Sequence, residues 1–313
     1  MSSLAVGVVG VGHMGRRHVE KVAALSAAGE PLRLAGVFDP DAERARRAVE
    51  GLGAPVLPDL ASLLQRADAL VVAVPTTAHH AVVARALASG CDVLVEKPIA
   101  TTVAEAEDLI ARARERRCVL QVGHLDWFNP ATRVLRRRVC APRFVQVRRV
   151  GPFAHRATDV DVVRDLMIHD LDILQRLLGE EPERIDALGI RVVTECIDVA
   201  NARLVFPSGC VADLTASRVA VDARRQMRFF QRDGCFAVDF LARSASLIPA
   251  ADAGAASRVE QQCAVFEAED ALLAQLRAFV GEIGKRAAPL ASACTAAVAL
   301  RTAQRVIAAM PPD

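Results

Sequence analysis

Three side chains in this sequence are of types, and at spacings, that can move a proton: Lys97, Asp165 and His169. Lys97 follows the apolar run Val93-Leu94-Val95 and Glu96, and Pro98 comes directly after it. An ammonium therefore stands where a buried strand ends, and the proline stops the strand ladder. In open α/β sheets, ligands lie in the crevice beyond the carboxyl ends of the strands. Asp165 and His169 are i and i+4 within Val162 to Leu178, which reads as an amphipathic helix ended by Gly179. Asp172, at i+7 from Asp165, extends the stripe, so the spacing predicts one polar face on an apolar-rich helix. The bland alternative is a histidine bonded to its helical aspartate in a solvated pair. The three residues together fit hydride transfer from an alcohol. A Lys or His tuned toward neutral pKa can take the hydroxyl proton, and the lysine's charge can polarise the developing alkoxide. A carboxylate would orient the imidazole or bind a neighbouring hydroxyl. Spacing alone leaves open whether Lys97 or His169 is the base.

The elements that must position these groups begin at Leu4-Ala5-Val6-Gly7-Val8-Val9, a buried-strand pattern. It runs into Gly10-Val11-Gly12-His13-Met14-Gly15 and then a helix, Arg16 to Ala28. Strand, G-x-G-x-x-G and helix in that order form the dinucleotide fingerprint. Gly10 permits the tight turn, Gly12 lets the backbone approach a pyrophosphate, and Gly15 allows close helix–strand packing. The helix N-terminus adds unpaired N–H groups for the phosphates. The next strand, Leu32 to Phe38, ends in Asp39, 24 residues beyond Gly15. A carboxylate there accepts from ribose hydroxyls and repels a 2′-phosphate, so NAD is expected over NADP, although Arg44 and Arg46 stand nearby. The competing reading of Asp39 is a helix N-cap ahead of Pro40.

The alternation continues. Leu60 to Arg66 reads as a helix and Ala69 to Val74 as a buried strand ending at Pro75-Thr76. His79 to Ser89 is a helix stopped by Gly90, then comes the strand that carries Lys97. Thr101 or Thr102 caps a helix over Val103 to Arg116, and Val119 to Val122 is the next strand. This pattern predicts a doubly wound parallel sheet. The residues expected to meet a dinucleotide are Gly10, Gly12, His13, Met14, Gly15, Asp39, Pro75, Thr76, His79, Glu96 and Lys97. His79 and His80 are adjacent on a helix with no carboxylate at helical spacing, so they read as surface or cofactor-edge histidines, and no metal is expected.

The pattern changes near Gly123, so we place an NAD-binding Rossmann domain at 1–123 and a substrate-binding and oligomerisation domain at 124–313. The second domain reads as α+β. It has a helix over Ala131 to Val139, a strand over Arg143 to Val150, an irregular segment to Asp159 and the Val162 helix. Strands then follow over Ile185 to Val193, Val199 to Phe206, Cys210 to Val219, Gln226 to Gln231 and Cys235 to Leu241. They suggest an antiparallel meander turned by Pro207-Ser208-Gly209 and Asp233-Gly234. Glu267 to Glu282 and Cys294 to Met310 read as closing helices. A broad open sheet needs cover on both faces, which argues for a homo-oligomer.

Composition narrows the function classes. With 52% hydrophobic and 24% charged residues, the 313-residue chain reads as globular and long enough for two cores. Its 39 Lys plus Arg against 37 Asp plus Glu argue against a nucleic-acid binder. Its 8 cysteines include no C-x-x-C pair, which fits buried thiols in a reducing cytoplasm. No signal peptide is evident, and no apolar run reaches the roughly 18 residues of a membrane helix.

The glycine fingerprint, Glu96-Lys97-Pro98, the Asp165-x-x-x-His169-Asp170 segment and the two-domain order resemble the glucose–fructose oxidoreductase / inositol dehydrogenase (Gfo/Idh/MocA) family over nearly the whole chain. The resemblance implies NAD(P)-dependent oxidoreduction of sugars or polyols, with Lys97, Asp165 and His169 at catalytic positions, and pairing of subunits through the open C-terminal sheet. Within that family, Val122-Gly123-His124, Arg149 to Phe153 and Asp159 to Asp170 are similar to the UDP-N-acetylglucosamine 3-dehydrogenase branch. That branch oxidises the sugar's 3-hydroxyl for a 3-amino lipid A precursor, which implies a pathway aminotransferase as a partner. The branch usually carries Glu-Arg-Phe-Asn-Pro where this chain has Asp126-Trp127-Phe128-Asn129-Pro130. Trp127 can stack on a sugar or base, or belong to the core. Trp127, Asn129, Arg149, Arg156 and Arg164 are the substrate-binding candidates, with Arg148 a further cation for a diphosphate. Arg136-Arg137-Arg138 reads as a solvated helix face. The alternatives are a cyclitol or free-sugar dehydrogenase and a non-catalytic NAD-binding regulator; retention of all three candidate catalytic residues argues against the latter.

Overall fold

The computed structural model describes residues 3–154, 160–250, 262–285 and 292–311. By internal contacts the chain divides into two units: Met1–Leu125 with Asp270–Ala297, and Asp126–Glu269 with Val298–Asp313. The division differs from a single cut at 123/124, because 270–297 return to the first unit.

The first unit holds β1 (Leu4–Val9), α1 (His13–Ala27), β2 (Leu32–Phe38), α2 (Ala42–Ala48), α3 (Leu60–Leu64) and β3 (Ala69–Val72). Then come α4 (Thr76–Ala88), β4 (Asp92–Val95), α5 (Val103–Arg116) and β5 (Leu120–Val122). The strands form a parallel sheet in the order β2-β1-β3-β4-β5. Parallel strands are covered on both faces, so they read as unbroken apolar runs rather than alternating ones. All four residues of β3 and of β4 are buried accordingly. The expected doubly wound sheet is present, and α2 is a helix that the sequence reading passed over. Thr102 caps α5 in a reciprocal capping box with Glu105, which resolves the choice between the two threonines.

The second unit holds α6 (Pro130–Arg138), β6 (Phe144–Val150), a π-helical turn (Val163–Met167) and α7 (Ile168–Leu178). Its later strands are β7 (Arg184–Ile190), β8 (Val199–Val205), β9 (Val211–Ser217), β10 (Arg224–Gln231), β11 (Gly234–Asp239), β12 (Ser244–Pro249) and β13 (Gln262–Val265). They make a sheet in the order β13-β12-β11-β10-β6-β9-β8-β7. The mostly antiparallel sheet is as expected, but a plain meander is not what forms. β9 and β10 do not pair; β6 lies between them, parallel to β9 and antiparallel to β10. β12 and β13 were not foreseen. The strict alternation of β6 and β8 places Val145, Val147, Ala200, Ala202 and Leu204 on the buried face with Met227 and Phe229. Gln146, Arg148, Asn201 and Arg203 stand on the other face.

The last helices are α8 (Ala271–Lys285) and α9 (Ala293–Ala308). In the first unit, Leu276, Phe279 and Ile283 of α8 join Val19, Val22 and Leu25 of α1 in one apolar cluster. No helix among the described residues is long and apolar enough to cross a membrane.

Candidate active site

At the carboxyl ends of the first unit's strands, the glycine loop has the shape its spacing predicts. Gly10 adopts φ +77°, and a Cβ there would lie 2.7 Å from the Ala73 carbonyl oxygen. A Cβ on Gly15 would come within 1.8 Å of the Gly10 carbonyl oxygen, so no larger residue fits either position. Gly12, the N-cap of α1, has open space beside it and no side-chain cap. That leaves backbone N–H groups of the first turn available to an anion, with His13 exposed and Met14 half-buried beside them. Asp39 is buried at the end of β2. Its Oδ2 accepts from Val11 N–H at 2.8 Å and its Oδ1 from Asp41 N–H at 2.9 Å, with the Arg44 guanidinium at 3.4 Å. The α2 N-cap is Asp41, not Asp39. Pro75 is the N-cap residue of α4 and Thr76 its first residue, at the end of β3.

Glu96 and Lys97 follow β4 directly. Glu96 Oε1 is 2.7 Å from Nε2 of His18, a fully buried histidine on α1. Burial alone would raise the Glu96 carboxyl, but the His18 contact and the Lys97 charge hold it below the usual carboxylate range. Glu96 thereby anchors the strand end that presents half-buried Lys97. His18 escaped the sequence reading. Its signal was there: it stands at i+3 from Gly15 and i−4 from Val22, on the buried face of α1. His79 is buried rather than at the surface; Nδ1 lies 2.8 Å from the Pro98 carbonyl and Nε2 3.0 Å from that of Val74. Burial pushes its pKa down while the two carbonyls oppose that shift; both carbonyls are acceptors, so the uncharged ring can donate to one of the two loops that leave β3 and β4 at a time. His80 pairs with Asp108 at 2.7 Å.

In the second unit, Asp165 sits in the π-helical turn and His169 on the first turn of α7. The π turn breaks the α-helical register on which the single stripe was predicted; such turns within helices recur at functional sites. Asp165 and His169 are both half-buried, but Asp172 is fully buried and bonds Arg176 at 2.8 Å. The stripe therefore ends at His169. His169 Nδ1 lies 3.4 Å from Asp126 Oδ2, and that same oxygen lies 2.9 Å from Arg149 Nη2. Arg149, 3% exposed, also grips Asp170 through Nε at 2.9 Å and Nη2 at 2.8 Å. Burial works against its charge, but Asp170 and Asp126 more than compensate and hold the guanidinium firmly protonated. Burial pushes the Asp170 carboxyl up, with Arg149 opposing.

This changes the reading of the substrate-binding candidates. Arg149 is occupied by two carboxylates and is no ready phosphate clamp. Asn129 caps α6, its Oδ1 accepting from Ala131 N–H at 2.9 Å. Trp127 is buried, with the guanidinium carbons of Arg136 and Arg176 over its ring at 5.0 and 4.8 Å, so it is a core residue. Arg164 pairs with Asp161 at 3.1 Å and stays 39% exposed at its side chain. Arg148 stands on the open sheet face. Arg156 and Asp159 lie outside the described residues.

Residues 4–124 match an oxidoreductase family with an NAD-binding Rossmann fold, GFO/IDH/MocA, and residues 134–237 match the C-terminal domain of the same family. The chain is 42% identical to the UDP-N-acetylglucosamine 3-dehydrogenase of Acidithiobacillus ferrooxidans over 242 residues, 77% of this chain and 75% of that protein. The chain belongs to the GFO/IDH/MocA oxidoreductase family. The solved structure of that A. ferrooxidans dehydrogenase superposes with TM-score 0.92 at 36% identity, covering 99% of this chain and 98% of the other. An inositol 2-dehydrogenase/D-chiro-inositol 3-dehydrogenase of Lacticaseibacillus casei is 32% identical over 69% of this chain and 63% of its own length. The structure of scyllo-inositol dehydrogenase from Lactobacillus casei, with bound NAD(H) and scyllo-inositol, shares the fold at TM-score 0.81 and 17% identity, covering 99% and 97% of the two chains.

Proposed function

We propose that this chain is an NAD-dependent dehydrogenase that oxidises the 3-hydroxyl of UDP-N-acetylglucosamine to a ketone. The observation that carries the chemistry is Lys97, presented at the end of β4 by Glu96 and its buried partner His18, in the same unit as the glycine loop. The nucleotide-sugar assignment is supported by the 42% identity to the A. ferrooxidans enzyme. NAD is favoured over NADP because a buried carboxylate, Asp39, stands where a 2′-phosphate would meet negative charge.

The glycine loop fits the pyrophosphate of a dinucleotide: Gly12 is open, and the N-terminus of α1 is uncapped by any side chain. Bound there, the nicotinamide ring supplies the hydride acceptor. The chain's own residues deal with the proton and the charge. Lys97 or His169 accepts the hydroxyl proton, and the Lys97 ammonium stabilises the alkoxide before the carbonyl forms. Asp165 binds a neighbouring hydroxyl or helps orient the ring of His169.

A cyclitol or free-sugar dehydrogenase is the second reading, and one observation favours it. Arg149, expected on a diphosphate, is buried between carboxylates, which leaves Arg164, paired with Asp161, and Arg148, on the open sheet face, as the phosphate candidates among the described ones. The open face of the second unit's sheet, where Arg228, Phe230 and Ile248 line a groove, is the surface we assign to a homo-oligomer. An aminotransferase working in the same reducing cytoplasm would consume the ketone.

The test is formation of reduced nicotinamide from NAD with UDP-N-acetylglucosamine, glucose or myo-inositol, with glutamate and a nucleotide-sugar aminotransferase added as a trap. Turnover confined to the nucleotide sugar supports the assignment. Turnover confined to a free sugar or cyclitol replaces it with the second reading.

A further inference from the structure

The departure from the branch pattern at position 126 falls beside a candidate catalytic residue. Asp126 lies in the 3₁₀ turn Leu125–Phe128, and its Oδ2 is shared between Arg149 Nη2 at 2.9 Å and His169 Nδ1 at 3.4 Å. The histidine contact is longer than a well-made N–H···O bond, as catalytic contacts often are before substrate binds. Arg149 has little freedom, because Asp170 takes both its Nε and its Nη2. The guanidinium therefore acts as a rigid bracket for the Asp126 carboxylate. Among the described residues, Asp126 from the 3₁₀ turn meets the ring, Arg149 from β6 binds both Asp126 and Asp170, and the charge of Arg225 from β10 reaches Asp170. Asp165 and Asp170 are its neighbours on its own helical segment.

Resting on the function proposed above, we propose that Asp126 is a positioning residue for His169, held in place by the buried Arg149–Asp170 pair. Its carboxylate keeps the ring proton on Nδ1, leaves Nε2 as the acceptor, and stabilises the imidazolium once that nitrogen is protonated. The sequence reading looked for the orienting carboxylate at Asp165, four residues before His169. The structure places another carboxylate, 43 positions earlier in the sequence, within 3.4 Å of the imidazole.

A merely structural Asp126 would serve only as a counter-ion to Arg149, and the two roles separate in a titration. The ring signal of His169 is assigned by its loss in His169→Ala and followed by NMR against pH. In Asp126→Asn, which keeps the shape and still accepts from Arg149, the His169 midpoint moves down by about one pH unit. The acidic limb of the kcat profile moves with it, kcat falls about tenfold, and the Kd for NAD stays at the parent value. Asp126→Glu restores the carboxylate and keeps the midpoint within a few tenths of the parent. An unshifted midpoint in Asp126→Asn overturns the proposal. If Asp126→Asn does not fold, the Glu variant decides: a midpoint well below the parent overturns it too. The proposed function stands or falls separately, on formation of reduced nicotinamide with UDP-N-acetylglucosamine; His169→Ala turning over at the parent rate would make Lys97 the base there, whereas the positioning of the ring is read from its titration.

Discussion

Each unit carries a half-buried carboxylate beside a candidate proton-transfer residue, and the two are held differently. Glu96 meets one uncharged-or-charged partner, His18, across a parallel sheet and a helix that the glycine fingerprint already prescribes. Asp126 meets a permanently charged guanidinium that is itself tied to Asp170. The first arrangement keeps in place the strand end that carries Lys97, the residue proposed to do chemistry. The second takes a residue type suited to substrate phosphates and uses it as scaffold. A buried arginine with two carboxylates is therefore weak evidence for a phosphate site, whereas a lysine at a strand end in the same unit as a glycine loop supports the proposal of a cofactor-linked site.

The comparison can be broken at several points. The largest effect is expected for Lys97→Ala, with turnover down by about a hundred- to ten-thousandfold and NAD affinity retained. Undiminished turnover, or lost NAD binding, would remove the division of labour described for the first unit. Next comes Arg149→Met, which strands the buried Asp170 carboxylate and the half-buried Asp126. Denaturant unfolding should show a loss of roughly 3–5 kcal/mol, and a neutral result would mean that the arginine is not the bracket. His18→Leu leaves Glu96 without its partner and should cost about 1.5–3 kcal/mol, read in the same titration, with turnover falling through Lys97 rather than through His169.

A smaller effect belongs to the loop after β7. Asp198 accepts from the N–H groups of Val192, Val193 and Thr194 and from the Thr194 hydroxyl. Burial works to raise its carboxyl, but those donors prevail and hold it at about 2, below the ordinary 3.8. A depressed carboxyl stabilises the fold above its unfolded value and ceases to do so as pH drops through the folded one. Parent protein should therefore lose this loop's contribution between about 3.8 and 2. In Asp198→Ala, thermal unfolding at neutral pH should show roughly 1–3 kcal/mol already gone, and an unchanged acid limb would contradict the assignment. The smallest effect is on cofactor choice. Asp39→Ala should shift the NAD-to-NADP preference by about tenfold toward NADP, some 1.4 kcal/mol, and an unmoved ratio of Kd values would dissociate Asp39 from the ribose.

How much of this was legible follows from the range of the interactions. Gly10, Gly15 and the strand before them are dictated by local backbone geometry, so the turn, the helix start and the parallel sheet could all be read from spacing. So could the alternation of β6 and β8. The π turn at Val163–Met167 could not, because a helical pattern does not announce one extra residue in a turn. Nor could the fate of Arg149, Trp127 and Asn129. Their partners are Asp126 and Asp170, Arg136 and Arg176, and a backbone N–H, and the pairing of like candidates across distant segments is set by packing rather than by pattern. β6 lying between β9 and β10 escaped for the same reason: strand order is a long-range property.

The most direct measurement of the central claim uses UDP-N-acetylglucosamine carrying deuterium at C3, incubated with the purified protein and NAD under trapping conditions. The account predicts that deuterium appears on the nicotinamide ring of the reduced cofactor and that turnover slows relative to unlabelled substrate. Reduced cofactor free of deuterium, or label delivered only from a deuterated cyclitol or free sugar, would contradict it.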